Sequence, residues 1–415
     1  MTQLSDDCFA FGGTLMSTEQ ALADLAERVG PVVAVESVTL AAALGRILAE
    51  DALARHASPP HDNAAVDGYA LAFADLAAGA VTQLPVTGRA TAGHPFEGSA
   101  GGAVRIFTGA VMPQRTDSVV MQEDVSVDDD VVSIPPGLKL GANRRRAGED
   151  FEAGADILKR GTRLRPQELA LAAAAGLDRL SVYQPVRVAL FSTGDELREP
   201  GADLSPGAIH DANRGMLGGL LQRLGCSVTD IGILADDPVA VQTALADAAT
   251  DHDLLITSGG VSTGEEDHIK GAVEALGSLH FWRLAIKPGR PLAFGQVGGR
   301  PFIGLPGNPV AVMICFLRFA RPVILRLGGA LDVDPTFYRV SAGFDHDKKA
   351  GRREWLRASL SADHDGALVA RKFWRQGSGV ISSLVAADGL VEIPEEVTHV
   401  ADGDMVAFLP FNEVL

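Results

Sequence analysis

The chain has 415 residues, of which 47% are hydrophobic and 21% charged, so we expect several globular domains rather than a disordered chain. Its 36 Lys and Arg residues against 53 Asp and Glu residues leave a formal net charge of −17, which argues against general nucleic-acid binding. The three cysteines, Cys8, Cys226 and Cys315, lie far apart without a C-x-x-C pair, so neither a zinc site nor a disulfide framework is indicated.

The N-terminus and the apolar segments bear on location. The first residues are polar and acidic and lack the basic and apolar regions of a signal peptide. The longest apolar stretches, such as residues 310–316, are far shorter than a membrane span. We therefore expect a soluble, cytoplasmic protein.

Two helices are predicted near the start of the chain. Ser17 and Gln20 form a capping-box pattern that predicts a first helix, which ends at Gly30. A second helix is predicted from residue 39 to about residue 50, because three leucine or isoleucine side chains recur there on one side. From about 53 to 147, short β-type runs alternate with Gly and Pro, which predicts a small β-rich domain.

The pattern of apolar residues changes again after this β-rich part of the chain. A helix over 167–175 is bracketed by Pro166 and Gly176. Apolar runs of strand length then alternate with helical patterns; the strands are 186–191, 228–234, 254–257 and 302–305, and the helices are about 213–224, 238–250, 267–276 and 309–327. This alternation predicts a parallel sheet covered by helices on both faces.

From about residue 333 onward the β texture returns, with Trp355, Phe373 and Trp374 as candidate core aromatics. The predicted fold class is therefore α/β and multidomain, with a central doubly wound domain. The predicted domains are a helical linker domain over 15–52 and 148–181, a β-rich insertion domain over 53–147, an α/β domain over 182–332 and a C-terminal β domain over 333–415.

Ligands of open α/β sheets bind beyond the carboxyl ends of the strands, so the loops after the predicted strands are the candidate site. They hold Ser192, Thr193, Gly194, Asp195 and Glu196 after the first strand, Asp236 and Asp237 after the second, Ser258, Gly259, Gly260 and Asp267 after the third, and Pro306, Gly307, Asn308 and Pro309 after the fourth. Each loop alone is explained by turn geometry or helix capping, but four on one edge are hard to interpret as turns alone.

The residue types in these loops indicate a phosphate ligand with a cation. Glycines let backbone N–H groups approach a phosphate closely. The carboxylates of Glu196, Asp236 and Asp267 would repel a phosphate unless they hold Mg²⁺, which prefers oxygen ligands. Lys287 and Arg290 flank a Pro-Gly turn, so both side chains could reach one anion, unless the turn is a solvated hairpin tip.

Ten segments of this chain resemble the conserved motifs of one protein family. They are DNAAVDGYA (62–70), RIFTGA (105–110), MQED (121–124), NRRRAGED (143–150), STGDEL (192–197), SGGVSTGEEDHIK (258–270), FWRLAIKPGRPLAFG (281–295), LPGNPV (305–310), GRREWLR (351–357) and QGSGVISSL (376–384). Together they resemble the MoeA proteins and the E domains of gephyrin and its plant relative. The central domain also resembles the molybdopterin-binding adenylyltransferases.

The resemblance implies an architecture and a reaction. It implies four subdomains with a β-barrel-like C-terminal domain, and an elongated homodimer whose cleft is formed partly across the dimer. It implies a molybdopterin molybdenumtransferase that uses Mg²⁺, takes molybdate and adenylylated molybdopterin as substrates and releases AMP. Molybdopterin adenylyltransferase and the acceptor apoenzymes are implied as further partners, and neither nucleic acid nor membrane is.

The resemblance also assigns residues by position. Catalytic matches are Asp67, Thr108, Asp150, Glu196, Asp236 and Asp267, of which the last three are also the candidate Mg²⁺ ligands. Lys287, Arg290, Pro291, Arg352 and Ser378 match residues near the molybdate site, and Pro306 and Pro309 match the LPGNP turn. The chain departs from the common pattern at Ala65, His268, Arg283 and Ala311, which affects the details of molybdate contact.

Three other functions are consistent with the same motifs. The chain could adenylylate molybdopterin, but single-domain adenylyltransferases lack the segments at 62–70 and 143–150. It could be a non-catalytic molybdopterin-binding scaffold, against which the retained acidic loops argue. It could also be a paralogue that inserts tungstate, since tungstate and molybdate are nearly equal in size and charge.

Overall fold

The computed structural model describes residues 17–260, 268–289 and 291–414. Its α-helices are Thr18–Arg28, Pro166–Ala174, Asn213–Arg223, Pro238–Asp251, His268–Leu276, Pro309–Cys315, Arg321–Leu327 and Ser382–Val385, with a π-helical segment at Phe316–Ala320 and 3₁₀ turns at Leu40–Ala42, Phe73–Asp75, Gln122–Asp124 and Phe411–Glu413. No helix among these residues has both the length and the apolar character needed to cross a membrane.

The first predicted helix is confirmed and the second is wrong. Thr18–Arg28 begins after Ser17, whose hydroxyl accepts a hydrogen bond from the Gln20 N–H at 3.2 Å. Residues 39–50 instead hold the end of the strand Val35–Thr39, one 3₁₀ turn and Gly45 at a φ of +76°. The strand pairs antiparallel with Arg179–Tyr183, so tertiary pairing prevails over the local apolar spacing here.

Short two-stranded pairings join the segments before and after the β-rich part of the chain. The pairs are Val35–Thr39 with Arg179–Tyr183, Ala52–Leu53 with Asp156–Leu158, and Asn63–Ala64 with Arg144–Arg145. The last pair lays the predicted NRRRAGED and DNAAVDGYA segments against each other. The residues between these two segments in the sequence form a six-stranded sheet in the order Ser118–Met121, Gly68–Leu71, Ala103–Ile106, Thr82–Ala90, Val131–Ile134 and Ser126–Asp128.

The central sheet has six strands, in the order Ser227–Leu234, Arg187–Thr193, Leu254–Ser258, Arg300–Leu305, Pro291–Val297 and Gly277–Arg283. The first four are the predicted strands and run parallel. The predicted parallel sheet is therefore confirmed for these four strands, and two further strands, which were not predicted, join antiparallel at one edge. Core clusters lie on both faces, with Leu190 in one and Phe191 in the other, so the predicted double cover is confirmed.

The C-terminal part forms a third six-stranded sheet, which closes on itself. Its order is Ile286–Lys287, Arg353–Ala362, Leu368–Lys372, Tyr338–Ala342, Met405–Pro410 and Gly389–Ile393, and Arg353–Ala362 also pairs with Gly389–Ile393. The short strand Ile286–Lys287 comes from the central α/β part and therefore joins it to the barrel. Small further pairings are Leu197–Arg198 with Ile209–His210 and His346–Asp347 with His399–Val400.

The predicted core aromatics differ in burial. Trp355 is fully buried, while Phe373 is only partly buried and Trp374 is 73% exposed. The prediction of Trp374 as a core residue is therefore wrong. Trp374 follows the strand Leu368–Lys372, and the guanidinium of Arg375 lies over the Trp374 ring, 4.1 Å from the ring centre. The boundaries of the four predicted domains remain a prediction, although the sheets fall in the predicted order along the chain.

Candidate active site

A cleft of about 1180 Å³ lies at the carboxyl ends of the parallel strands, where the central sheet faces the C-terminal barrel. Many residues named from the sequence line it; they are Thr193, Gly194, Asp195, Glu196, Asp236, Gly259, Gly260, Lys287, Pro306, Gly307, Asn308, Arg352 and Ser378. The loops that follow the four parallel strands therefore meet at one site, as the strand-end rule predicts. Their individual roles remain predictions.

Other candidates lie behind the cleft or apart from it. Ser192 and Ser258 are buried, and Pro309 is the first residue of the helix Pro309–Cys315. Asp67, Thr108 and Asp150 lie in the N-terminal half of the chain and do not line the cleft. Asp267 and Arg290 fall outside the described residues, and the side chain of Pro291 does too.

Two glycines allow the loop after the third parallel strand to pass close to the first. Gly259 and Gly260 have φ values of +88° and +64°. A Cβ at Gly259 would lie 2.7 Å from the Thr193 carbonyl oxygen, and one at Gly260 would lie 2.3 Å from Thr193 Oγ1. Both the positive φ values and the lack of room for a Cβ therefore require glycine at these two positions.

Asn213, which the sequence did not single out, joins two of the cleft loops. Its amide nitrogen donates to Ser258 Oγ at 2.9 Å and to the Gly307 carbonyl at 2.7 Å. Ser258 in turn donates to the Pro306 carbonyl at 3.2 Å. Asn213 stands at the start of the helix Asn213–Arg223, so this helix sets the spacing between the loops.

The acids of the strand-end loops divide into those that line the cleft and one that caps a helix. Asp195, Glu196 and Asp236 line the cleft. Asp237, next in the chain, caps the helix Pro238–Asp251, and its carboxylate accepts from the Ala240 N–H at 2.7 Å. The capping interpretation therefore applies to Asp237, while Asp236 lines the cleft with its Oδ1 3.8 Å from His268 Nε2.

Glu196 and Asp236 are the candidate Mg²⁺ ligands that line the cleft. Within the part of the chain that the structure describes, no cluster of three or more His, Cys, Asp or Glu side chains could hold a metal by itself. Mg²⁺ commonly binds through one or two carboxylates together with water and substrate phosphates. Glu196 and Asp236 therefore fit a magnesium ion that arrives with a phosphorylated substrate.

Lys287 supplies a cation to the cleft from the short strand Ile286–Lys287. Its ammonium donates to Glu354 Oε1 at 3.1 Å, and its side chain is 54% exposed. The other oxygen of Glu354 accepts from His346 Nε2 at 3.1 Å. Both His346 and Glu354 line the cleft, and neither was singled out from the sequence.

A second cation, Arg357, lies at the cleft wall with no exposed surface. Its guanidinium donates to Ser383 Oγ at 2.9 Å and to the carbonyls of Gly377 and Arg375 at 3.0 and 3.3 Å. Burial lowers the pKa of Arg357 to about 10, so the group keeps its charge at neutral pH. Arg357 therefore holds the loop before Ser378 and adds positive charge to that wall.

Arg357 and Glu354 both lie within the GRREWLR segment matched from the sequence, where only Arg352 was chosen. Alternation along the strand Arg353–Ala362 could not show which side chains face the cleft, because the cleft lies between two sheets. His346 carried no sequence signal.

Asp67 and Thr108 form a separate contact in the N-terminal half. The carboxylate of Asp67 accepts from the Thr108 N–H and hydroxyl, both at 2.8 Å. These two hydrogen bonds lower the pKa of Asp67, with a further contribution from the charge of Arg105. The two sequence motifs that carry these residues therefore meet in the fold, while Asp150 is exposed and bonds through its backbone N–H to the Ser58 carbonyl.

Comparison with known proteins accounts for nearly the whole chain. Residues 16–176 match the MoeA N-terminal region (domains I and II), residues 189–326 a probable molybdopterin-binding domain, and residues 339–411 the MoeA C-terminal region (domain IV). A molybdopterin molybdenumtransferase of Haemophilus influenzae is 36% identical over 97% of this chain and its own full length. The chain belongs to the MoeA family.

Other relatives agree with this membership. A molybdopterin molybdenumtransferase of a Nostoc species is 35% identical over 90% of this chain and 88% of its own length. The crystal structure of a molybdopterin biosynthesis MoeA protein from Pyrococcus horikoshii matches 96% of this chain and all of its own, with a TM-score of 0.83 at 29% identity. The predicted multidomain α/β fold is thereby confirmed, and the family is one of transferases in molybdenum cofactor biosynthesis.

Proposed function

We propose that this chain transfers molybdenum from molybdate to molybdopterin, and that it acts on the adenylylated pterin and releases AMP. The observation that carries the proposal is the composition of the cleft. Carboxylates at the ends of the parallel strands and cations at the barrel wall line the same space. A substrate with phosphate groups at one end and an oxyanion at the other matches this division of charge.

The acidic side is proposed to hold the phosphates of the pterin. Glu196 and Asp236 would hold Mg²⁺, which when bound neutralises phosphate charge and polarises the bond to the leaving group. Gly259 and Gly260 keep the neighbouring backbone free of side chains, so their loop can approach the phosphates closely.

The basic side is proposed to hold molybdate. Lys287 and Arg352 line the cleft, and the buried Arg357 lies in the same wall. Charge-assisted hydrogen bonds from Lys287 and Arg352, with the charge of Arg357 behind them, would compensate the two negative charges of the oxyanion, and the hydroxyl of Ser378 can donate to one of its oxygens. The net charge of −17 makes this local gathering of cations necessary.

Asp67, Thr108 and Asp150 do not line the cleft of their own chain. We propose that they act in a homodimer, in which the N-terminal half of one copy completes the cleft of the other. The extra motifs of that half are then part of the site.

The proposal is tested by incubating the protein with adenylylated molybdopterin, Mg²⁺ and molybdate and following AMP. We expect AMP release that depends on molybdate and falls at least about tenfold in Glu196→Ala, because a proposed ligand of the magnesium ion on the phosphates is lost. AMP release without molybdate, or none at all with a folded protein, would exclude the transfer. The second result would favour the scaffold, and adenylylation of molybdopterin from ATP would favour the adenylyltransferase.

A further inference from the structure

The cleft contains a buried carboxylate, Glu354, that the proposed reaction does not use. Its side chain is 5% exposed, and both of its oxygens are occupied. Oε1 accepts from the Lys287 ammonium and Oε2 from His346 Nε2, each at 3.1 Å. Glu354 thus connects a proposed oxyanion-binding cation to a histidine of the barrel.

Strand pairing, rather than side-chain adjustment, brings these groups together. Ile286–Lys287 pairs in parallel with Arg353–Glu354, and Lys287 stands opposite Glu354 in the register. The Arg353 N–H donates to the Ala285 carbonyl at 2.8 Å and fixes this alignment. The Lys287 ammonium is therefore held beside the carboxylate by the backbones of two parts of the chain.

The ion pair between Lys287 and Glu354 contributes little to folding. A pair whose lysine is 54% exposed gains little stability, because solvent screens the interaction. A carboxylate that is almost fully buried costs desolvation free energy, which a half-exposed partner offsets poorly. Glu392, by contrast, bonds to the buried Trp355 and Arg353, so its role in the barrel is structural.

We propose that Glu354, oriented by His346, is a positioning residue that presents the Lys287 ammonium to the oxyanion. This inference rests on the proposed contact between Lys287 and molybdate. A free lysine side chain samples many rotamers, so binding an anion would first have to order it. Glu354 orders the ammonium before the oxyanion arrives, and His346 keeps the carboxylate from turning away.

The test measures molybdate in two ways on the full-length protein. One is the KM for molybdate and kcat in the AMP-release assay, and the other is equilibrium dialysis of molybdate alone. The variants are Glu354→Gln, Glu354→Asp, His346→Gln and Lys287→Ala, with the double variant of Glu354→Gln and Lys287→Ala. His399→Gln is the matched control, because His399 belongs to the same strand pair as His346 and also bonds to a carboxylate, Asp347 at 2.7 Å, but neither of these two residues lines the cleft.

We expect Glu354→Gln to raise the KM and the dissociation constant for molybdate about tenfold, with kcat within about threefold of wild type. Glu354→Asp should recover part of the loss, His346→Gln should raise the KM about threefold, and His399→Gln should leave it unchanged. In the Lys287→Ala background, Glu354→Gln should add nothing, because its effect passes through Lys287.

Several results would overturn the inference. Glu354→Gln with unchanged molybdate affinity, or with tighter binding, would mean that the carboxylate is structural or competes with the oxyanion. An equal further loss in the Lys287→Ala background would show that Glu354 acts independently of Lys287. If Lys287→Ala itself leaves molybdate affinity unchanged, the proposed oxyanion contact fails and the inference fails with it. Should Glu354→Gln not fold, Glu354→Asp and His346→Gln decide the question.

Discussion

Asp67 and Thr108 lie 41 positions apart in the sequence, yet a single carboxylate oxygen accepts both hydrogen bonds from Thr108. Hydrogen bonds to the charged form lower a carboxyl pKa, and here the backbone N–H contributes most and the hydroxyl next. These bonds stabilise the fold above the pKa of Asp67 in the unfolded chain. The contribution is lost as the pH falls through the lower folded-state pKa.

Removal of the hydroxyl should therefore shift the titration of Asp67. We expect Thr108→Val to raise the pKa of Asp67 partway to its ordinary value, because the backbone N–H remains, and Thr108→Ser to leave the pKa unchanged. A carbon-detected NMR titration of labelled aspartate carboxyls measures both. If the pKa of Asp67 is the same in Thr108→Val and in wild type, the Thr108 hydroxyl does not lower it.

At the scale of single residues, the sequence predicted the cleft acids better than the partners of the cleft cations. Glu196 and Asp236 follow strands directly, so their place at the sheet edge follows from chain order alone. Glu354 and Arg357 reach the cleft through the pairing of Ile286–Lys287 with the barrel. That pairing joins positions 67 residues apart, and no local pattern signals it.

Asp236 and Asp237 are adjacent acids at the start of one helix and allow two roles to be separated. Asp237 accepts from the Ala240 N–H, as an N-cap residue does. We expect Asp237→Ala to lower the free energy of unfolding by about 1 kcal/mol without affecting AMP release. Asp236→Ala should leave the free energy of unfolding within about 0.5 kcal/mol of wild type and lower the rate of AMP release at least about tenfold.

Urea unfolding and the AMP assay, applied to both variants, check this pair. If Asp237→Ala loses activity at unchanged stability, the assignment of cap and ligand roles is wrong. The comparison needs no further control, since each variant serves as the control for the other.

At the scale of elements, predictions held where the local pattern and the tertiary environment agree. The helices Pro166–Ala174 and Asn213–Arg223 lie within a residue or two of their predicted bounds. The antiparallel strands Gly277–Arg283 and Pro291–Val297 were not predicted, because between the helix that ends at about 276 and the strand that begins at 302 only the turn flanked by Lys287 and Arg290 was assigned. The helix over 39–50 was predicted wrongly because the strand Val35–Thr39 gains its partner from residues that are 140–148 positions away in the sequence.

At the scale of the whole molecule, an ion network joins the first helix to the barrel. Arg353, whose side chain is 11% exposed, donates to Glu395 at 2.9 and 3.0 Å, to Glu392 at 3.2 Å and also to Glu19 of the helix Thr18–Arg28. Nearby acids raise the pKa of Arg353 against the opposing effect of burial. The network forms beside the strand pair that holds Lys287, so the barrel, the first helix and the cleft wall share one support.

Replacement of Arg353 by Met should destabilise the molecule more than its lost contacts suggest. Glu392 and Glu395 would remain largely buried without their main cation, which costs about 3–5 kcal/mol when one partner of a buried network is removed. Arg371→Met is the matched control on the same barrel, because Arg371 is exposed and bonds to Ser361 Oγ at 2.8 Å, and we expect a change within about 0.5 kcal/mol. Urea unfolding followed by tryptophan fluorescence measures both, since Trp355 bonds to Glu392. A loss below about 1 kcal/mol in Arg353→Met would mean that packing, rather than charge, holds the barrel against the first helix.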